Sequence, residues 1–88
     1  MPKKMWHVYI LRCRDKSLYT GITINVAARI AAHNNGKGAA YTRSRKPVKL
    51  VWSARQKSES NARKLEAKIK RWKKSEKEAF LESVNGLH

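Results

Sequence analysis

Cysteine occurs once in this 88-residue chain, at Cys13, which excludes a disulfide framework and a thiolate zinc site within one chain. Acidic residues are scarce. Six Asp and Glu stand against 21 Lys and Arg, a formal net charge of +15. Such a field repels itself and calls for an anionic partner. Nucleic acid ranks first, because phosphates release counterions to a basic surface; an anionic membrane ranks second. Long apolar runs are missing as well. The run after the basic start MPKK is broken by His7 and Arg12, so it reads as neither a signal peptide nor a transmembrane span. No lipid-anchor motif is present, and the apolar stripes of the predicted helices are narrow enough for a core. The expectation is a cytoplasmic protein that meets nucleic acid and no membrane. With no internal repeat, no low-complexity stretch and no long linker, residues 1–88 are expected to form one domain with a modest core and one site.

Two strand patterns open the chain. WHVYILR (6–12) and LYTGIT (18–23) are rich in β-formers, and Asp15-Lys16 signals a turn between them, so they read as a hairpin. Gly21 is out of place there. A glycine inside a strand gives up packing and often marks close approach of another backbone or a ligand. Register decides its neighbours. An odd number of connecting residues puts Tyr9 and Leu11 on one face with Tyr19 and Gly21; an even number separates them.

Asn25 is an N-cap for a helix from Val26 to about Asn35, with Gly36 at C′. At roughly 100° per residue, Val26, Arg29, Ile30 and His33 share a sector, so Arg29 and His33 border the apolar stripe. GKGAAYTRSRKP, residues 36–47, reads as a basic loop by its glycines and proline. Its Lys37, Tyr41, Arg43, Arg45 and Lys46 are candidate nucleic-acid contacts; GKG lacks the P-loop frame. VKLVWSA (48–54) is a third strand. Ser58 caps a long helix whose Ala62, Leu65, Ile69 and Trp72 recur three and four apart, with Glu66 beside that stripe. Ser75 starts a last short helix holding Ala79, Phe80 and Val84. The order is β-β-α-β-α-α, an α/β chain of the α+β kind.

Tyr9, Tyr19, Arg29, His33 and Glu66, with the gap at Gly21, make a kit for cutting a phosphodiester. A carboxylate can hold one Mg²⁺ that keeps waters and takes phosphate oxygens. A guanidinium neutralises charge developing on the phosphoryl group. A phenol or imidazole takes the proton of an attacking water, and a phenol of pKa ~10 needs positive charge nearby to do so. Each residue also has a plainer role. Glu66 can pair with Lys70 or Arg63. The tyrosines can be core residues with hydroxyls at the rim. His33 can cap the helix C-terminus.

Taken in order, these pieces resemble the GIY-YIG nuclease superfamily. VYI at 8–10 matches its first motif, with Val8 in the glycine position, and YTG at 19–21 matches its second. Arg29, His33 and Glu66 match its helical arginine, the residue one turn later and its metal-binding glutamate. GKGAAYT, VKLVWSA and LEAKIKRWKKSEKEAFL look like its small bacterial branch, and the likeness runs from about Trp6 to Leu81. The resemblance implies a small three-stranded antiparallel sheet flanked by helices, with both tyrosines and Gly21 on one face beside Arg29 and Glu66. It implies a metal-dependent endonuclease acting on DNA, structured DNA included. Glu66 would bind one Mg²⁺ or Mn²⁺, Arg29 would contact the scissile phosphate, one tyrosine would assist the water, and His33 would relay its proton. Gly21 would let the site and a DNA phosphate come close to the strand. Lys77 and Glu78 stand where several family nucleases carry an asparagine, and no separate DNA-binding domain is legible. The basic surface is therefore expected to bind DNA with loose sequence specificity. The alternative is a non-catalytic DNA- or RNA-binding protein that keeps the fold.

Overall fold

Strand β1 (Trp6–Arg12) lies at the centre of a three-stranded antiparallel sheet, between β2 (Leu18–Thr23) and β3 (Lys49–Gln56). The computed structural model describes residues 5–85; His88 and the MPKK start lie outside them. Residues 13–17 join β1 to β2, an odd count. Tyr9 therefore pairs with Gly21 and Leu11 with Tyr19, and all four share a face. Asp15 Oδ1 accepts the Ser17 N–H at 3.0 Å and Lys16 takes a φ of 71°, which together close the turn.

Alternation along β1 sorts the molecule into layers. Val8 and Ile10 point to one face, where they bury with Leu18 against Ala62 and Ile69 of α3 (Glu59–Lys70) and Leu81 of α4 (Lys74–Asn85). Trp52 and Trp72 set their rings at steep angles to Phe80 in that layer, with centroids 5.1 and 5.3 Å away. Tyr9, Leu11 and Cys13 point to the other face and pack with Val48 and with Ile30 of α1 (Val26–Asn34). The sheet thus separates α1 from α3 and α4.

The caps read from sequence form as expected. Asn25 Oδ1 accepts the Ala28 N–H at 3.0 Å, and Ser58 Oγ accepts the Asn61 N–H at 3.1 Å. Gly36 has a φ of 77°, left-handed as a C′ residue requires. Three details differ. Residues 36–47 are not loop throughout: α2 (Ala40–Arg43) forms there, with the N–H groups of Thr42 and Arg43 both donating to Ala39 O. The glycines and proline that signal a loop lie on either side of this single turn. The third strand runs from Lys49 to Gln56, not 48–54, because β1 continues to pair with it as far as Trp6–Gln56. The last helix starts at Lys74, because Glu76 reaches back to the Lys73 N–H at 2.7 Å, half of a capping box. Among the described residues no helix is long and apolar enough to cross a membrane.

Candidate active site

Three side chains from three elements form a buried chain of hydrogen bonds on the α1 face. Tyr9 comes from β1, His33 from the last turn of α1 and Thr42 from α2. The Tyr9 hydroxyl lies 3.0 Å from His33 Nε2, and His33 Nδ1 lies 2.7 Å from Thr42 Oγ1. Thr42 Oγ1 in turn donates to Ala39 O at 3.1 Å. A hydroxyl has one proton, and here Ala39 takes it. His33 Nδ1 must then carry the ring proton and donate it to Thr42. Nε2 is left bare and accepts the Tyr9 O–H. The tautomer thus follows from the bonding pattern. Tyr9 is 1% exposed and His33 and Thr42 are 0%, so water does not compete for these bonds. His33 does not act as a helix cap: Asn35 is the C-cap, and the imidazole is turned inward.

Two glycines make room for this pair. A Cβ on Gly21 would lie 2.5 Å from the Tyr9 hydroxyl oxygen and 2.7 Å from its Cζ. The gap in β2 is therefore filled by the Tyr9 ring, so Gly21 lets this part of the site come close to the strand. A Cβ on Gly38 would overlap the His33 imidazole at Nδ1.

Arg29, one helical turn before His33, sets its guanidinium beside the Tyr9 hydroxyl. Burial raises the Tyr9 pKa above the ordinary phenol value, and Arg29 partly opposes that rise. Tyr9 thus keeps its proton and donates it to His33. Burial lowers the His33 pKa, and the Arg29 charge lowers it further, so His33 is neutral at pH 7. Tyr19 completes the cluster, its ring centroid 5.2 Å from His33 and 6.4 Å from Tyr9.

Glu66 belongs to α3, which packs behind the sheet, and lies in the helix sector of Ala62 and Ile69. Its negative charge still reaches Tyr9 as one of the causes that raise the phenol. The carboxylate is 19% exposed and pairs with Lys70 Nζ at 3.2 Å, while Arg63 pairs with Glu59 instead. Among the described residues no three His, Cys, Asp or Glu side chains cluster as a metal cage. One hard carboxylate at a partly exposed position nevertheless suits a cation such as Mg²⁺, which keeps several waters and needs only one or two protein oxygens.

The basic segment after α1 divides in two. Lys37, Arg43 and Lys46 are exposed. Arg45 is engaged: Nε donates to Asp15 Oδ2 at 3.0 Å, Nη1 donates to Tyr41 O at 2.9 Å, and the guanidinium carbon lies 4.0 Å from the centre of the Tyr41 ring. Tyr41 is 39% exposed and stacks on Tyr19 with centroids 5.9 Å apart. Arg45 therefore orders Tyr41 at the rim and is not a free cation. Glu78, in the neighbourhood of the missing asparagine, is committed as well. It takes both ends of the Arg12 guanidinium at 2.7 and 2.8 Å. Sequence reasoning missed Thr42 and Gly38. Both lie in the segment read as loop, and the one signal there was a hydroxyl and a glycine just after a histidine-ended helix.

The GIY-YIG catalytic domain family matches residues 5–79. A UPF0213 protein of Cupriavidus necator is 49% identical over 75 residues, covering 85% of this chain and 82% of its own. One from Staphylococcus haemolyticus is 50% identical over 76 residues, covering 86% and 93%. The solution structure of a UPF0213 protein from Bacillus halodurans superposes with a TM-score of 0.60 at 41% identity, covering 93% of this chain and 86% of that one. That of an E. faecalis protein superposes with a TM-score of 0.64 at 36% identity, covering 98% and 92%.

Proposed function

Because this chain belongs to the GIY-YIG nuclease superfamily, we propose that it is a divalent-metal-dependent endonuclease that hydrolyses phosphodiester bonds in DNA. The observation that carries this reading is the Tyr9–His33–Thr42 chain with Arg29 beside its phenol end. A free phenol is a poor base at neutral pH, and burial makes Tyr9 poorer. The chain removes that difficulty. Tyr9 would accept a proton from an attacking water that bound substrate brings to its hydroxyl, as its own proton passes to His33 Nε2. No free phenolate has to form. The acceptor is a neutral imidazole whose tautomer Thr42 holds ready. Arg29 neutralises charge that develops on the scissile phosphoryl group. Glu66 would hold a single Mg²⁺ or Mn²⁺, which supplies Lewis-acid stabilisation of the phosphoryl and leaving oxygens when bound. Lys37, Arg43 and Lys46 would engage flanking phosphates, and Tyr41 would meet a sugar or base at the rim.

The test is cleavage of supercoiled plasmid and of linear and branched oligonucleotides at low salt with Mg²⁺, Mn²⁺ or EDTA. The unmodified protein, Glu66→Ala and Arg29→Ala are run in parallel. Metal-dependent cutting that disappears in both variants, with DNA binding retained, is the expected result. Equal cutting by Glu66→Ala would remove that residue from the metal site. Binding without cutting under every condition would favour a non-catalytic nucleic-acid-binding protein.

A further inference from the structure

Four cations line one pocket where the β1–β2 turn meets the start of β3. Arg12, Arg14, Lys16 and Lys49 surround it, and Cys13 and Pro47 complete its wall. Its volume is about 250 Å³. Arg12 is held by Glu78 and forms a fixed side of the pocket. Arg14, Lys16 and Lys49 are exposed, and among the described residues none of them has an acidic partner. Asp15, the one carboxylate in the turn, is committed to Arg45 and Ser17. Three like charges are thus gathered around one hollow, and their repulsion is relieved when an anion enters it.

The turn is tied in place. The Cys13 N–H donates to Ser17 O and the Lys16 N–H to Cys13 O, both at 2.9 Å, and the Arg14 N–H donates to Arg45 O at 2.9 Å. The pocket is therefore formed in the free protein, and a ligand does not have to order it. Lys16 has a φ of 71° and is the one non-glycine residue at positive φ among the described residues. Glycine or asparagine takes that conformation with less strain. The backbone alone gives no reason for a lysine there; its place in the pocket wall does.

Size and charge select the ligand. Pockets for drug-sized ligands run from about 300 to 1,000 Å³, so this smaller one suits a phosphate group with little more than the sugar that carries it. A phosphate monoester carries about −1.5 to −2 at pH 7, whereas each internal phosphodiester of a strand carries a single charge. Three uncompensated cations match the monoester better. The pocket is also separate from Tyr9. Strand β1 runs three residues from Tyr9 to its end at Arg12, about 10 Å at ~3.3 Å per residue.

We propose that this pocket, through Arg14, Lys16 and Lys49, is a binding site for a phosphate monoester, supplied by a free mononucleotide or by the phosphorylated end of a nucleic-acid strand. The site stands apart from the cleavage reading above and does not rest on it.

The experiment titrates the ¹⁵N-labelled full chain in EDTA at constant ionic strength and follows the amide signals of Cys13, Lys16 and Lys49. The probes are thymidine 5′-monophosphate, a thymidine dinucleotide whose only phosphate is a diester, and a short oligothymidylate with and without a 5′-phosphate. Lys16→Asn removes the charge and keeps a residue that accepts the left-handed turn. Lys64→Gln removes one exposed charge from α3 as the control. The mononucleotide or the phosphorylated oligonucleotide is expected to shift these amides to saturation, about tenfold or more tighter than the dinucleotide. Whichever does so identifies the source of the phosphate. Lys16→Asn should weaken that binding about tenfold and melt no lower than the unmodified protein, while Lys64→Gln binds within about twofold. Lys49→Gln, which leaves the turn alone, should weaken it too. Equal affinity for the dinucleotide, or for the oligonucleotide without its phosphate, overturns the proposal, because the basic surface as a whole is then acting. So does unchanged binding by Lys16→Asn and Lys49→Gln. So does a loss of binding by Lys16→Asn that comes only with a loss of fold while Lys49→Gln binds normally. A chain that cuts DNA yet binds no monoester fails only this proposal; one that binds the monoester and never cuts fails only the nuclease reading.

Discussion

His33 carries its proton on Nδ1 because Thr42 offers an acceptor there and has committed its own proton to Ala39. Removing the hydroxyl with Thr42→Val leaves a buried N–H without a partner, which costs about 1–3 kcal/mol in a urea titration. Thr42→Ser keeps the hydroxyl and should recover most of it. Stability alone would not separate a relay from a packing role, so the ¹⁵N spectrum of the His33 ring is the second readout. The unmodified protein and the serine variant should show the Nδ1–H form, and the valine variant a mixture. Cleavage by the valine variant should fall by about 10²-fold, the scale of general-base assistance. A valine variant that cuts at full rate would remove Thr42 from the chemistry. His33 also ties stability to pH. Its folded-state pKa is depressed by burial and by Arg29, so below the unfolded value of about 6.5 the unfolded chain binds a proton that the folded one refuses. Stability should be full above about pH 6.5 and decline as pH falls from there toward the depressed value. His33→Gln should flatten that decline.

At the scale of elements, two kinds of contact hold α4 and α3 against the sheet, and their magnitudes decide which matters. Arg12 and Glu78 form a two-pronged ion pair, but about a third of each side chain is open to solvent. Such a pair is worth about 1 kcal/mol or less. Ile69, at 1% exposure, is core, and Ile69→Ala should cost about 2–5 kcal/mol. Glu78→Gln should therefore lower the melting temperature only slightly and Ile69→Ala severely; the reverse order would make the ion pair the true fastening. Arg12 also holds the Glu78 carboxyl below its usual range, so this contribution is present above about pH 4.3 and lost only as pH falls through the depressed value. The decline at His33 should thus be visible before the pair is touched. These elements differ in how far the chain announced them. Both side-chain caps and the apolar spacing of α3 were legible because each is a local rule with short reach in sequence, whereas the residues alone left the hairpin register open and the family resemblance chose it. Helix α2 was not, because one turn between a glycine pair and a proline has no periodicity to read. The ring of Tyr9 in the gap at Gly21 hung on that register: the gap itself was visible, but its occupant is a cross-strand neighbour twelve residues earlier. Glu66 was expected beside the tyrosine face, and its charge is felt at Tyr9 from a helix that packs behind the sheet; a stripe edge fixes a sector of the helix and not the layer it joins.

For the whole molecule, salt should act in opposite directions on the free and the bound protein. The free chain carries +15 on a body with a radius of gyration of 12.9 Å. The Debye length is ~30 Å at 0.01 M salt and ~10 Å at 0.1 M, so added KCl moves screening from longer than the radius of gyration to shorter than it. Self-repulsion in the compact state is then relieved, and the melting temperature of the free protein should rise over that range. DNA reverses the sign. It stabilises whichever state it binds by mass action, and its affinity falls steeply with salt because each released counterion gains less entropy in a saltier solution. A protein melted with excess duplex should be most stable at low salt and lose that excess as KCl increases, until the two curves meet. The check is a pair of melts across one salt series, with and without DNA. If the two melting temperatures rise in parallel, the native state is not the form that engages DNA, and the positive field serves another partner.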